Sequence, residues 1–403
     1  MADALFGGAP RIGDAVIGDP RSRDEAASTR KIAYFVHDLS DSAVHRRVRM
    51  LVAGGAAVTP IGFRRRAMPV SDIDGIAAID LGRTDDGKLA LRLTSVARVL
   101  MRASRLATAL SGTEVILARN LEMLTIAALM RNRHAPQARL AYECLDVHRL
   151  LLSRHLPGAL LRGLESRLWR GVDLLLTSSP AFIENYFEPR HFPARARMVE
   201  NKVLLPNDGE PPKGSSRPGA GPPWRIGWFG MIRCRRSLEI LAALARQADG
   251  AVEIVLRGRP SASVFPDFEA KIAKHPQISF GGPYRNPEDL PTLYGDVHFV
   301  WTIDYYEEGQ NSAWLLPNRI YEGTLHGAVP LALREVETSR WLTRHGIGVE
   351  FDEPLEGRLV DFFHRLDQDE YAKLAEKVRA VPRRDLIVDR SECREIVEAL
   401  CGH

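Results

Sequence analysis

The chain has 403 residues, 45% hydrophobic and 26% charged, a balance that fits a globular protein of two or three domains and excludes a fibrous or disordered one. Its four cysteines, Cys144, Cys234, Cys393 and Cys401, form no CxxC pair and no Cys/His cluster of zinc spacing, so a reduced, cytoplasmic setting is expected and a disulfide scaffold is not. Residues 31–205 carry 26 Lys and Arg against 16 Asp and Glu, while residues 206–403 carry 25 against 30. The basic first half suits an acidic partner: phosphates, an anionic membrane or an acidic glycan.

Residues 1–30 are small, polar and punctuated by Gly and Pro, without the basic start and apolar core of a signal peptide, and read as a disordered tail. KIAYFVHDL (31–39) is a short apolar run of the kind a buried parallel strand shows. A helix through Val44, Val48 and Leu51 ends at Gly54-Gly55, and AAVTPIGF (56–63) is the next strand. The alternation continues with a helix near 89–110, a strand at 114–119, a helix at 121–132 and a strand at 139–146. It goes on through a helix at 158–170, a strand at 172–179, a helix at 180–187 and the segment 198–205. Residues 206–223, PNDGEPPKGSSRPGAGPP, are a linker, because Pro and Gly deny them regular structure.

Beyond the linker, strands are predicted at 224–230, 251–258, 278–284, 297–303 and 328–333. Helices are predicted at 237–247, 268–275, 289–296, 318–327, near 355–366 and over 369–402. Two runs of βα units imply an α/β protein of two Rossmann-like, doubly wound domains, 31–205 and 224–403, facing across a cleft, with the C-terminal helix able to cross back. No apolar run reaches the ~20 residues that span a bilayer. In such sheets ligands collect beyond the carboxyl ends of the strands, so the loops there carry the chemistry.

GWFGMIRCRRSLEIL (227–241) places a glycine, Gly230, at a strand end, then Arg233, Arg235 and Arg236, then a helix with Ser237 as its expected N-cap. Close backbone approach, guanidinium donors and a helix N-terminus together suit a diphosphate. In LLPNRIYEGTLHGAVPLAL (315–333), Arg319 and Glu322 share a helical face near the helix start. A carboxylate there can accept two ribose hydroxyls; read blandly, the two residues are an ordinary ion pair.

The segment 315–333 resembles the C-terminal signature of bacterial GT-B glycosyltransferases of the family-4-like group. There a helix carries Asn-Lys/Arg, a Glu and a run of small residues, then Gly and Pro before the next strand. Asn318, Arg319, Glu322, Gly327 and Pro330 stand in that register. The runs 304–323 and 31–51 are similar to the succinoglycan type of exopolysaccharide enzyme. The resemblance implies a GT-B fold and transfer of a hexose from a nucleotide sugar, with a uridine-diphosphate sugar as the guess. The acceptor it implies is a glycan or a polyprenyl-diphosphate-linked sugar. It implies no cofactor and no metal. It also implies that Glu322 holds the donor ribose, that Arg319 and one of Arg233, Arg235 and Arg236 attend the diphosphate, and that Pro283 and Tyr284 lie beside the base. One position departs: where many members place a glutamate eight residues before the second, this chain has Trp314.

Three further clusters matter. Glu143, Asp146 and His148 lie where the strand 139–146 ends, and Asp146 is the candidate base for an inverting transfer, with His148 beside it. Capping of the following helix is the bland alternative. His37 and Asp38, after the first strand, are candidate acceptor contacts. The helix 89–110 aligns Arg98, Arg102 and Arg105 on one face over apolar residues, and 148–170 repeats the mixture, so acceptor or anionic-membrane contact is expected there, at the inner face of the plasma membrane. Asp304, Glu307 and Glu308 share one loop and read as solvated acids rather than Mg²⁺ ligands. The basic residues are not interleaved with aromatics, which argues against nucleic acid. The competing readings are a nucleotide-sugar epimerase or another GT-B enzyme, and a non-catalytic nucleotide-sugar-binding protein.

Overall fold

The computed structural model describes residues 30–84, 103–205 and 218–402. The expectations for the tail, for Arg98 and Arg102, and for the linker as far as residue 217 lie outside the described residues.

Two parallel sheets organise the chain. The first has seven strands in the order Ile79–Arg83, Ala57–Arg64, Lys31–Val36, Val115–Arg119, Arg139–Cys144, Leu174–Thr177, Arg195–Met198. The second has six, in the order Ile278–Phe280, Val252–Pro260, Trp224–Ile232, Phe299–Trp301, Val329–Leu333, Val349–Phe351. Counted within each sheet, both run third, second, first, fourth, so the direction of winding reverses beside the first strand. The central strands are buried on both faces, which is why they read as apolar runs: all of Val115–Arg119, and all of Lys31–Val36 after Lys31.

The helix Ser42–Ala53 starts where Asp41 accepts a hydrogen bond from the Ala43 amide, and it turns Val44, Val48 and Leu51 inward. The chain leaves the first half through Val203–Leu204 and returns through Ile387–Val388, and these two short strands pair in parallel. The returning chain ends in the helix Arg390–Cys401, capped by Asp389, which buries Cys393, Ile396, Val397 and Leu400 in the core of the first half. A Cβ on Gly54 would overlap the Cys393 carbonyl, so that helix rests against the end of Ser42–Ala53.

Three expectations are corrected. The helix expected over 369–402 is two, Gln368–Arg379 and Arg390–Cys401, separated around Pro382. The strand expected to stop at Gly230 pairs on to Ile232, because Gly230 at φ +110° sits opposite Gly258, where any Cβ would overlap the Gly230 carbonyl. The helix therefore begins at Arg235, and Cys234 is its N-cap, its Sγ accepting from the Ser237 amide; Ser237 is buried inside the first turn instead.

Candidate active site

The two reversal points bring four loops into play. In the first half these follow Val36 and Arg119; in the second they follow Ile232 and Trp301.

The second half supplies the wall around Glu322. This residue sits in the helix Asn318–Leu325 and is 5% exposed. Its Oε1 accepts from Asn286 Nδ2 and its Oε2 from the Tyr294 hydroxyl, each at 2.8 Å. Burial raises its pKa, with the Tyr294 and Asn286 hydrogen bonds and Arg319 opposing. Arg319 donates to the Phe229 carbonyl at 3.3 Å, next to Gly230, and its buried Nε has no hydrogen-bond partner among the described residues. Tyr284 borders the same point, its hydroxyl 4.0 Å from where a Cβ on Gly230 would lie. Burial, then Glu322, raise the Tyr284 pKa. Asn318 is exposed at the helix start and lines the crevice with Glu322.

The three arginines after Ile232 part company. Arg233 lies over the Tyr306 ring at 4.3 Å, and its charge works against the raised pKa of Asp146 in the first half. Arg235 turns away to the Val264 carbonyl at 2.6 Å. Arg236 is held by Glu353 at 2.8 Å and by Glu308, and stacks on Tyr305 at 4.1 Å.

On the first half, Glu143 does not stand at the mouth of the sheet as expected. It is fully buried, accepting from Arg47 Nε at 2.5 Å and from the Tyr34 hydroxyl, with Arg119 3.6 Å away. Burial alone would raise its pKa; Arg47 and Arg119 outweigh that and hold it below the ordinary range. Asp38 is buried too, and its Oδ1 accepts from the Ser40 amide and hydroxyl at 3.0 and 2.6 Å and from the Arg65 amide at 3.3 Å. His37 lies 3.4 Å from Asn120 Nδ2 and 3.8 Å from Asp41. Burial, then Arg119, lower the His37 pKa to about 4, so it is neutral at pH 7. His148 Nδ1 accepts from the Leu150 amide at 3.2 Å, capping the short helix Arg149–Leu152.

Asp146 opens onto solvent while the cleft walls crowd it. Loss of hydration, first, and then Glu307 raise its pKa to about 6; Arg233 opposes and Asp304 adds to the rise. The second half reaches this point with the loop after Trp301. Asn311 is the tie: its Oδ1 accepts from the Val147 amide at 3.3 Å, and its Nδ2 donates to the Val147 carbonyl and, at 2.6 Å, to Glu307. Trp314 packs edge-on against Phe182 of the first half, ring centroids 6.3 Å apart, and Ser179 Oγ donates to its carbonyl. The position eight residues before Glu322 is thus an interdomain contact.

Sequence reading missed Asn286, Tyr294, Asn311 and Arg46. Along Ser42–Ala53 three neighbouring arginines meet different ends: Arg47 turns in to Glu143, Arg49 out to Asp74 at 3.4 Å, and Arg46 onto the Lys202 carbonyl. Burial, then Arg47, lower the Arg46 pKa to about 10, with Glu322 opposing. A narrow crevice between the halves is lined by Arg46, Asn201, Lys202, Asn286, Asn318 and Glu322. Two larger hollows, about 450 and 470 Å³, lie instead where the chain crosses between halves, around Glu200. Their linings carry ion pairs such as His345–Asp385 and Lys202–Glu392 instead of the Glu322 wall. Among the described residues no group of three or more His, Cys, Asp or Glu could hold a metal ion, and no helix is long and apolar enough to cross a membrane.

The same pairing of sheets occurs in Anabaena HepE, solved with UDP and glucose. That structure superposes with a TM-score of 0.62 at 15% identity over 93% of this chain and 100% of that one. A glycosyltransferase from Rickettsia africae ESF-5 gives 0.61 at 14% identity, over 93% of this chain and 99% of its own. The fold is GT-B, the two-domain fold of those solved structures. No family model matches the chain. Succinoglycan biosynthesis protein ExoL of Rhizobium meliloti (strain 1021) is 45% identical over 375 residues, 92% of this chain and 93% of that protein. The chain belongs to the ExoL family of exopolysaccharide biosynthesis proteins.

Proposed function

We propose that this protein transfers a hexose from a uridine-diphosphate sugar, held by residues 224–403, to a lipid-linked or growing glycan held by residues 31–205 at the inner face of the plasma membrane. The observation that carries this reading is the buried Glu322 carboxylate, fixed by Asn286 and Tyr294 and lining the crevice beside the unpartnered Nε of Arg319. A buried carboxylate aimed at a crevice is suited to the two hydroxyls of a ribose. Arg319 and Arg233, with the backbone bared at Gly230, would stabilise the leaving diphosphate.

Asp146 faces these groups from the opposite wall. With a pKa of about 6 it is mostly ionised at neutral pH and basic enough to take the acceptor proton as the new bond forms. His37, neutral and near the end of the first strand, is a hydrogen-bonding partner for the acceptor or the sugar. HepE, solved with UDP and glucose, supports the choice of donor by analogy of fold.

Calorimetric titration with UDP and UDP-glucose tests this. Glu322→Ala should weaken binding by about a hundredfold, ~2.7 kcal/mol, without changing the far-UV spectrum. Equal affinity in the two proteins would remove Glu322 from the donor site.

A further inference from the structure

The helix Leu156–Trp169 has two unlike faces. Gly158, Glu165 and Trp169 are buried, and Leu161 and Leu168 pack on the core of the first half. On the other side Leu156, Leu160 and Leu164 are 73%, 67% and 41% exposed. Spaced four apart, they form one continuous stripe. The other large apolar side chains that stand exposed among the described residues, such as Met68, Leu129 and Met231, are scattered over different elements.

The charge around the stripe has one sign. Arg149, Arg154, Arg167 and Arg170 are exposed, and Arg167 lies on the stripe's own face, a turn beyond Leu164. The only acid between 147 and 170 is Glu165, and it faces inward: Arg190 binds it at 2.7 Å, and the hydroxyls of Tyr142 and Tyr186 donate to it at 3.0 and 2.5 Å. The stripe is also rigidly joined to the cleft. A Cβ on Gly158 would overlap the carbonyls of Leu150 and Ser153, and Arg162 donates to the Leu151 carbonyl at 2.9 Å. Helix and preceding turn therefore move as one body, and that turn begins at His148, two residues beyond Asp146.

We infer that this face is the surface by which the protein lies on an anionic lipid membrane, the three leucines entering the boundary between headgroups and acyl chains and the arginines meeting lipid phosphates. A stripe of leucines whose own segment, residues 147–170, exposes arginines and no acid matches that surface in both polarity and charge. The inference rests on the proposed lipid-linked acceptor for its purpose: it sets the mouth of the cleft beside the membrane plane, where such an acceptor would present its sugar.

The test is co-sedimentation of the full chain with vesicles, in the absence of donor and acceptor. The wild type should bind phosphatidylcholine vesicles containing about one-third phosphatidylglycerol, release them on added salt, and bind pure phosphatidylcholine poorly. The variant carrying Leu156→Ser, Leu160→Ser and Leu164→Ser should lose about tenfold or more in partitioning. The variant carrying Arg154→Glu and Arg167→Glu should lose the preference for anionic vesicles. Unchanged partitioning in the leucine variant overturns the inference. So does a wild-type dimer in sedimentation velocity that the leucine variant converts to monomer, which would make a second copy the occupant. UDP titration of the leucine variant separates the two claims. Retained nucleotide binding with lost vesicle binding supports this surface, whereas vesicle binding by a protein that binds no UDP would sink the donor reading and leave the surface standing.

Discussion

The two halves share one strand order and spend their charged residues differently. In the second half, Glu322 lines a crevice and Arg319 keeps a buried N–H without a partner among the described residues. In the first half, Glu143, Arg47, Arg119 and Tyr34 satisfy one another beneath the sheet, and Asp38 is occupied within its own loop. Identical topology thus hosts a crevice-facing polar set on one side and a mostly structural one on the other, with Arg46 and Asp146 the first-half residues described above that stay open to the space between the halves. What separates the two sets is exposure to the crevice: Asn286 and Tyr294 hold Glu322 yet leave it lining that space, whereas Glu143 is closed off on every side.

The largest effect expected from this contrast is on stability. Glu143→Ala leaves Arg47 and Arg119 buried without their anion and should cost about 3–5 kcal/mol in urea unfolding, whereas the same change at a ligand-facing acid should cost far less. The sign with pH follows: a carboxyl whose folded pKa lies below its unfolded value stabilises at neutral pH, and that contribution fades as pH falls through the ordinary carboxylate range near ~4 and on through its folded value. A wild-type and Glu143→Gln pair with the same acid sensitivity would break the comparison from the structural side.

Next in size is Asp146→Asn, which should lower turnover by about 10²–10³-fold while UDP affinity stays within about twofold. In the wild type kcat/KM should rise through a pKa of about 6, because the base must be ionised, and the variant should lose that limb. A variant that keeps both its rate and its pH profile would assign the transfer to a route without a general base, and the anomeric configuration of the product, read by NMR, would then be retained. Smallest, and sharpest as a discriminator, is the pair of arginine variants. Arg233→Ala should weaken UDP by about tenfold, ~1.4 kcal/mol. Arg236→Ala, whose guanidinium is already held by Glu353 and Glu308, should change it by less than about twofold.

Sequence carried the fold well because each βα unit announces itself locally, by an apolar run and then a helical period. Arg319 and Glu322 could be singled out together because both sit on one turn of one helix, and only the resemblance to a known signature gave them expected roles. Asn286 and Tyr294, which fix that glutamate, arrive from 36 and 28 residues earlier, and no local pattern links them to it. Nor does the order Arg233, Arg235, Arg236 say which of them faces the cleft; Glu353, Glu308 and the Val264 carbonyl decide that from other elements. The misassigned Ser237 cap has a similar origin, since the pairing of Gly230 with Gly258 that prolongs the strand is a tertiary event.

The crossing of the chain has a consequence for biosynthesis. The core that holds Val44, Val48 and Leu51 is closed by Cys393, Ile396, Val397 and Leu400, which leave the ribosome only after the whole second sheet has been translated. The half translated first is thus the half completed last, and until then its apolar face stays uncovered and open to chaperones or to aggregation. A deletion of Arg390–Cys401 would accordingly injure the half that contains Ser42–Ala53, although most of the chain separates the two segments in the gene.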